Sequence, residues 1–272
     1  MAPAITVSNL VKAYGDVVAV DGISLEIEEG EVFALLGPNG AGKSTTVEIL
    51  EGHRTATSGE VSVLGYDPST RSRTYRERIG IVLQETAVED ALTVAEAISI
   101  YGSMYPRRRP TRELIEIVGL EEKATSRIKA LSGGQRRRLE LALGIVGDPD
   151  LIFMDEPTTG FDPSARRQAW TIVENLTSLG KTILLTTHYM DEAQVLADRV
   201  AVISHGEIVA EGTPESLGGR EDAPTLITFA AGGASLEGLP FSDVRMGSNG
   251  RVTIESTEPT RAIHDLTGWA LE

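Results

Sequence analysis

The apolar segment 32–36 runs directly into G-P-N-G-A-G-K-S at 37–44, and this junction constrains the fold more than any other feature. The spacing satisfies G-x-x-x-x-G-K-[ST], in which a strand ends in a turn that opens a helix. Glycines let backbone N–H groups approach phosphate oxygens, and the helix start adds the positive end of its dipole. The pattern therefore predicts a phosphate-binding loop. The alternative is a glycine-rich turn that matches by chance.

Strand-like and helical patterns alternate through most of the chain. Strands are predicted at 23–27, 31–36, 60–64, 79–83, 151–154, 182–186 and 199–204, and helices at 43–51, 94–105, 112–118, 134–146, 165–179 and 190–197. Strands separated by crossover helices predict an α/β fold with a mainly parallel sheet. Residues 87–130 contain helical patterns without a strand, which predicts an inserted helical subdomain.

The composition changes after residue 211. The last 61 residues contain no lysine and nine of the 28 glycines. Turn signals flank strand-like segments at 225–229 and 251–255, and a helical pattern covers 259–271. We therefore predict a main domain at 1–211 and a small C-terminal α+β appendage at 212–272.

Charge and composition exclude several classes of function. The net charge of −15 disfavours nucleic acid as a partner, because phosphate backbones are bound by clustered lysine and arginine. The absence of cysteine excludes disulfides, Cys-ligated zinc and iron–sulfur clusters. Apolar runs are shorter than the roughly 18 residues that a membrane helix needs, and residues 1–10 do not resemble a secretory signal. We expect the chain to remain on the cytoplasmic side of the membrane.

Two acids, Asp155 and Glu156, directly follow the apolar segment 151–154. A strand that ends in Asp places its carboxylate at the C-terminal edge of the sheet, where α/β proteins bind ligands. Together with the loop, Asp155 and the Ser44 hydroxyl are expected to bind Mg²⁺, and Lys43 to reach the β- and γ-phosphates. Glu156 could orient and deprotonate the attacking water. Considered alone, two acids at the end of a strand are more often part of a solvated loop.

The pentapeptide L-S-G-G-Q at 131–135 precedes a helical pattern. Ser132 can cap that helix, while Gly133 and Gly134 expose backbone N–H groups, which predicts a second anion site at a helix start. The alternative is an ordinary serine-capped helix.

The loop at 37–44, the two acids and this pentapeptide together resemble the ATP-binding subunits of ATP-binding-cassette (ABC) transporters, over about residues 5–211. The resemblance implies a P-loop NTPase core with an antiparallel β segment and an inserted helical subdomain, and ATP and Mg²⁺ as cofactors. The residues then expected to contact nucleotide are Tyr14, Gly37, Pro38, Asn39, Gly40, Ala41, Gly42, Lys43, Ser44, Thr45, Ser132, Gly133, Gly134, Gln135 and Asp162.

The resemblance also implies individual roles. Tyr14 matches the aromatic residue that stacks on adenine, and Asp162 matches the aspartate at the subunit seam. Gln84 matches the glutamine that touches Mg²⁺ and the attacking water, and His188 matches the histidine that contacts the γ-phosphate. The expected catalytic residues are thus Glu156, His188, Gln84 and Lys43. Judged singly, Tyr14, Gln84 and His188 could instead be packing or surface residues.

The same resemblance implies a head-to-tail dimer in which 37–45 of one copy and 132–135 of the other enclose one ATP. Separate integral-membrane permease subunits would be the further partners. The segments T-G-F-D-P (159–163) and T-H-Y-M-D-E-A (187–193) look like those of bacterial multidrug and antibiotic-resistance exporters. The alternatives are an importer ATPase, a soluble relative acting in translation, DNA repair or cluster assembly, and an unrelated P-loop kinase or GTPase.

Overall fold

A computed structural model describes residues 3–82, 88–217, 225–230, 236, 239–241, 244–246, 251–256 and 258–271 of the protein. The chain divides into two compact units, Met1–Pro214 and Glu215–Glu272. The boundary predicted from composition, between residues 211 and 212, precedes this division.

Strands and helices follow one another along the two units. The strands are β1 (Ile5–Tyr14), β2 (Val17–Ile27), β3 (Val32–Leu36), β4 (Ser58–Val63), β5 (Ile79–Val82), β6 (Leu151–Asp155), β7 (Thr182–Thr187), β8 (Arg199–Ser204), β9 (Glu207–Gly212), β10 (Thr225–Ala230), β11 (Val244–Met246) and β12 (Arg251–Ser256). The helices are α1 (Lys43–Leu50), α2 (Arg73–Arg78), α3 (Val94–Gly102), α4 (Thr111–Ile117), α5 (Gly133–Gly144), α6 (Pro163–Ser178), α7 (Met190–Leu196) and α8 (Pro259–Leu271). Over the described part of the chain, no helix has the length and apolar character to cross a bilayer.

A six-stranded sheet of the order β5-β6-β7-β3-β8-β9 forms the core of the first unit. Its strands are parallel except β9, which pairs antiparallel with β8 at the edge. Nearly all side chains of β3, β6 and β7 are buried, and this explains their continuous apolar segments. Leu36 pairs with Thr187, and Asp155 pairs with Thr186, so these three strands end at the same edge. The predicted α/β fold with a mainly parallel sheet is confirmed.

The second sheet of the first unit is antiparallel, in the order β2-β1-β4. The sequence pattern indicates only parts of it, because register shifts in β1 and β2 interrupt the alternation of buried and exposed side chains. The sheet approaches the glycine-rich loop: a Cβ added at Gly42 would lie 2.5 Å from the Ala19 carbonyl oxygen of β2. The two sheets therefore meet at this loop.

The segment 88–130 is helical and contains α3, α4 and two short 3₁₀ segments, Glu121–Lys123 and Ile128–Ala130. Thr93 and Glu96 form a capping box at the start of α3. The helix ends at Gly102, earlier than the predicted residue 105, since the proline at 106 disfavours a helical conformation just before it. Both α3 and α4 contact α5 of the core.

Ion pairs on Asp148 join this helical segment to the core sheet. Arg107 Nη2 lies 2.5 Å from Oδ2 of Asp148, and Arg109 Nη2 lies 2.9 Å from Oδ1. Lys181, which directly precedes β7, places Nζ 2.8 Å from Oδ1. Burial raises the pKa of Asp148, but these cations outweigh it and hold the pKa below its ordinary value. The carboxylate is therefore an ionised anchor between the two parts.

The second unit contains a three-stranded antiparallel sheet of the order β10-β12-β11 and the helix α8. Val252 and Ile254 of β12 are buried, and the Phe229 ring lies edge-on to Trp269 of α8 with 6.3 Å between centroids. The alternation of β12 thus gives the sheet an apolar face, and α8 contacts the neighbouring strand β10. The bounds of α8 are those predicted.

Candidate active site

The loop 37–42 connects β3 to α1 and is closely packed at both ends. Gly42, the N-cap of α1, has φ of 109°, in the left-handed region that favours glycine. A Cβ at Gly37 would lie 2.3 Å from the Ile203 carbonyl oxygen, so no larger residue fits there without movement. The exposed residues at the tip of the loop are Pro38, Asn39 and Gly40, whereas Ala41 is buried and Thr45 half-buried.

Positive charge is concentrated inside this loop. Lys43 is only 4% exposed, and its Nζ donates hydrogen bonds to the carbonyl oxygens of Gly37 at 2.8 Å and Pro38 at 3.1 Å. Among the described side chains, none caps the start of α1. The first N–H groups of this helix therefore need another acceptor, and an anion suits them.

Asp155 lies at the end of β6 and faces Ser44 in the first turn of α1. The Ser44 Oγ is 3.3 Å from Oδ2 and 3.4 Å from Oδ1 of Asp155. Thr186 of the intervening strand β7 donates a hydrogen bond of 2.5 Å to Oδ1, which orients the carboxylate. A hydroxyl and a carboxylate that converge beside a phosphate-binding loop are the oxygen donors that Mg²⁺ takes together with phosphate oxygens and water. The predicted pair therefore fits this ion.

The Glu156 carboxylate contacts two other predicted catalytic residues, Lys43 and His188. Its Oε1 lies 3.5 Å from Lys43 Nζ and 3.4 Å from His188 Nδ1, and its Oε2 accepts a 2.9 Å hydrogen bond from the Thr159 hydroxyl. Its backbone has φ of 45°, a conformation uncommon outside glycine, and its N–H donates to Thr186 Oγ1 at 3.0 Å. The strand-to-turn transition thus projects the carboxylate toward the loop.

The charge state of Glu156 follows from these neighbours. Burial by itself raises the pKa of the carboxyl group. The Thr159 hydrogen bond, the charge of Lys43 and the adjacent His188 ring lower that pKa by more than burial raises it. The net pKa lies below the ordinary glutamate value, so the side chain is ionised at neutral pH and accepts protons or hydrogen bonds.

Thr159 and Thr186, which were not predicted from the sequence, contact the two candidate acids. Thr186 donates to Asp155 and accepts from the N–H of Glu156, and Thr159 holds the Glu156 carboxylate. The available signal was the presence of paired threonines, 158–159 and 186–187, one residue after the acids and at the end of the neighbouring strand. Threonine pairs are too common for that signal to be noticed without the strand order.

Replacing Thr186 with Val should lower the free energy of unfolding by about 1–3 kcal/mol, the usual cost of leaving buried polar groups without a partner. Thr186 is fully buried, and valine has nearly its shape, so the change removes the hydroxyl without creating a cavity. Denaturant unfolding followed by circular dichroism measures the difference. Thr186→Ser, which keeps the hydroxyl, is the matched control. An unchanged unfolding midpoint for Thr186→Val would contradict the assigned hydrogen bonds.

Tyr14 lies in the antiparallel sheet, away from this cluster. Tyr14 ends β1 in the antiparallel sheet, and its side chain is 41% exposed. An exposed ring is compatible with stacking on a base, and that role of Tyr14 stays a prediction. Gln84 lies outside the described residues, which stop at 82 and resume at 88.

The predicted second anion site lies in a separate groove. Ser132 caps α5, with its Oγ accepting from the Gln135 N–H at 3.3 Å and the Gln135 side chain accepting from the Ser132 N–H at 3.0 Å. The groove has a volume of about 390 Å³ and is lined in part by Gly133, Gly134 and Asp162. Its lining contains no residue of the loop 37–45, all of which the structure describes. The two predicted anion sites therefore do not meet within one copy of the chain.

A buried arginine connects the two sites through the backbone. Arg137 of α5 is 6% exposed, donates from Nε to the Pro157 carbonyl oxygen at 3.3 Å, and pairs with Glu140 at 3.0 Å. Pro157 directly follows Glu156, so the helix that begins at Ser132 is tied to the turn that carries the catalytic candidate.

Known proteins resemble this chain in sequence. The ABC transporter family matches residues 20–159. The daunorubicin/doxorubicin resistance ATP-binding protein DrrA of Streptomyces peucetius is 46% identical over 79% of this chain and 66% of its own length. The Nod factor export ATP-binding protein I of Rhizobium meliloti (strain 1021) is 45% identical over 79% of this chain and 65% of its own length. The chain thus spans about two thirds of the length of these two relatives.

The fold has solved counterparts as well. A dimeric ATP-binding cassette in a post-hydrolysis state, bound to ADP and Pi, superposes with a TM-score of 0.68 and 26% identity, covering 77% of this chain and 98% of that one. The family match and the structural match agree with the features described above. These are the glycine-rich loop 37–42, Asp155 and Glu156 at the end of β6, and the capped glycine turn at 132–135. The chain belongs to the ABC transporter family.

Proposed function

We propose that this chain binds and hydrolyses ATP as one of two copies that drive export through separate membrane subunits. The observation that carries the proposal is the convergence of Lys43 and His188 on the Glu156 carboxylate, beside the Asp155–Ser44 pair. Three parallel strands end at this point, and a triphosphate, a divalent cation and an attacking water can be accommodated together there.

Each part of the nucleotide has a corresponding group in the chain. The N–H groups at the start of α1 and the Lys43 ammonium bind the β- and γ-phosphates, and Tyr14 stacks on adenine. Ser44 and Asp155 would hold Mg²⁺, which neutralises charge on the phosphate oxygens when bound. Thr186 keeps the Asp155 carboxylate in place for that role.

Hydrolysis depends on Glu156 as general base. Its ionised carboxylate accepts the proton of the water whose oxygen attacks the γ-phosphorus, while the bond to the β-phosphate oxygen breaks. The bound γ-phosphate competes with Glu156 for Lys43, which removes one of the charges that lower the pKa of Glu156. The carboxylate therefore becomes a stronger base once the nucleotide is in place. His188, at 3.4 Å, orients the carboxylate and contacts the γ-phosphate.

Two copies complete the site. The groove at Ser132–Gln135 and the loop at 37–45 each offer a helix start to an anion, yet they lie in different places on one chain. A head-to-tail pair brings the groove of one copy to the loop of the other, so that both clamp the same γ-phosphate. The dimeric cassette bound to ADP and Pi supports this arrangement. Hydrolysis then removes the charge that holds the dimer closed.

A cleft of the first unit suits a membrane partner. This cavity, of about 430 Å³, is lined by Tyr101 and Tyr105 of the helical segment and by Glu51 and His53 of the core. The pKa of Glu51 is raised to about 8, mainly by burial and further by the negative charges of Asp155 and Glu48. This acid is therefore mostly protonated at neutral pH. The aromatic side chains of this lining, which also contains Arg71, Arg76 and Glu140, favour a short helical segment of a permease.

Export is the direction that the relatives support. One of them is named for Nod factor export and another for daunorubicin/doxorubicin resistance, and both are more than 40% identical to this chain. We infer an exported compound of amphipathic or drug-like character, whose binding site lies in the membrane subunits.

Affinity purification from detergent extracts of the native host should recover an integral-membrane subunit with this chain. Mass spectrometry of the eluate identifies it, and substitution of Tyr101 and Tyr105 by alanine should reduce its recovery. Exposed Val209, substituted by alanine, serves as a control outside the cleft. Recovery of ribosomal proteins without any membrane subunit would contradict the transport function.

A further inference from the structure

Two cations lie against the Tyr14 ring. The Nζ of Lys12 is 5.0 Å from the ring centroid, and the guanidinium carbon of Arg54 is 5.6 Å from it. Both distances are within the range of attraction between a cation and an aromatic face. The ring is thus restrained by its neighbours although it is 41% exposed.

Each of the two cations is itself held in place. Arg54 is paired with Glu48 through its Nε, and its Nη2 lies 3.3 Å from Oε1 of the same carboxylate. Lys12 Nζ donates a 2.9 Å hydrogen bond to the Thr55 carbonyl oxygen. Arg54 therefore meets Glu48 with two nitrogens, an arrangement that fixes the plane of the guanidinium group.

The same helix links this contact to the phosphate loop. Glu48 belongs to α1, whose first residues are Lys43 and Ser44, and Arg54 follows soon after the end of α1. The next residues attach to β1, because the Ala13 N–H donates to Thr57 Oγ1 at 3.0 Å. One rigid element thus carries the phosphate site at its start and the restraint on Tyr14 at its end.

We propose that Arg54 is a positioning residue for the purine base, fixing the Tyr14 ring relative to the phosphate loop through its pair with Glu48. The inference rests on the proposed function, since it assigns the base-binding part of that same nucleotide site. Stacking tolerates every base, so Arg54 sets the affinity for nucleotides without selecting adenine over guanine. It contributes nothing to the hydrolytic step, which takes place at the other end of α1.

The test compares ATP, GTP and inorganic tripolyphosphate by isothermal titration calorimetry in Mg²⁺ buffer. In Arg54→Gln, the dissociation constants of ATP and GTP should rise together by about three- to tenfold, a part of what a complete base stack contributes. Tripolyphosphate, which has no base, should bind as before. In steady-state assays, KM for ATP should rise with kcat unchanged. Glu48→Gln should act in the same direction, and Arg54→Lys should recover part of the affinity.

Arg73→Gln is the matched control, because Arg73 is an exposed arginine of α2 paired with Glu77 and the substitution changes the charge equally. Unchanged ATP affinity in Arg54→Gln would overturn the inference. An equal loss for tripolyphosphate would also overturn it, as would the same effect from Arg73→Gln, because either result indicates a general charge effect. If the unsubstituted protein bound no ATP, the proposed function would fail as well, whereas normal binding by Arg54→Gln would contradict this inference alone.

Discussion

Replacing Glu156 with Gln is expected to slow ATP hydrolysis by about 10²- to 10⁴-fold, the usual contribution of a general base. Glutamine keeps the size of the side chain and can still accept the Thr159 hydrogen bond, but it cannot take a proton from water. It also removes the negative charge 3.5 Å from Lys43, so ATP should bind at least as tightly as before. Phosphate release at saturating ATP measures turnover, and calorimetry measures binding.

Glu174→Gln is the control for this experiment, because Glu174 is an exposed residue of α6 and the substitution changes the charge identically. It should leave both quantities unchanged. Turnover by Glu156→Gln close to that of the parent would remove Glu156 from the role of base. Loss of ATP binding in that variant would show that the carboxylate has a structural task in the loop.

Ser132→Arg is expected to abolish ATP-driven dimerisation while a single copy still binds ATP. Ser132 is exposed at the start of α5, so a larger side chain fits on one copy without disturbing its core. In the head-to-tail pair the same position faces the γ-phosphate held by the other copy, where an arginine side chain has no room. Light scattering with ATP, in a Glu156→Gln background that preserves the nucleotide, measures the dimer.

Ser132→Ala separates crowding from loss of the helix cap. Alanine removes the hydrogen bond to the Gln135 N–H, at a cost of about 1 kcal/mol to the helix, and adds no bulk. The alanine variant should still dimerise, although more weakly. Dimerisation of Ser132→Arg at the level of the parent would rule out an ATP site shared between two copies.

Much of the fold was predictable because its signals are local. The strand 32–36, the glycine turn and α1 are adjacent in the chain, and strand propensity, turn geometry and helix start all agree there. The capping box at Ser132 and Gln135 likewise lies within one helical turn. Continuous apolar segments indicated β6, β7 and β8 for the same reason, since buried parallel strands need no alternation.

The elements that were missed are those where local signals are weak. β1 contains register shifts, and β9 has mostly exposed side chains on the edge of the sheet, so neither gives a regular pattern. Short α2 has an arginine-rich sequence that resembles a loop. Burial and pairing with other segments stabilise these elements more than their own sequence does.

Residue types and motif spacing were enough to predict a phosphate-binding loop, a Mg²⁺ pair and a general base, because each role requires a particular functional group at the end of a strand or the start of a helix. The contacts that set their geometry join residues far apart in the chain: Thr186 and Asp155 are 31 positions apart, and Ser44 and Asp155 are 111 apart. Those contacts follow from the strand order β6-β7-β3. Packing among distant segments selects this order, and no local pattern encodes it.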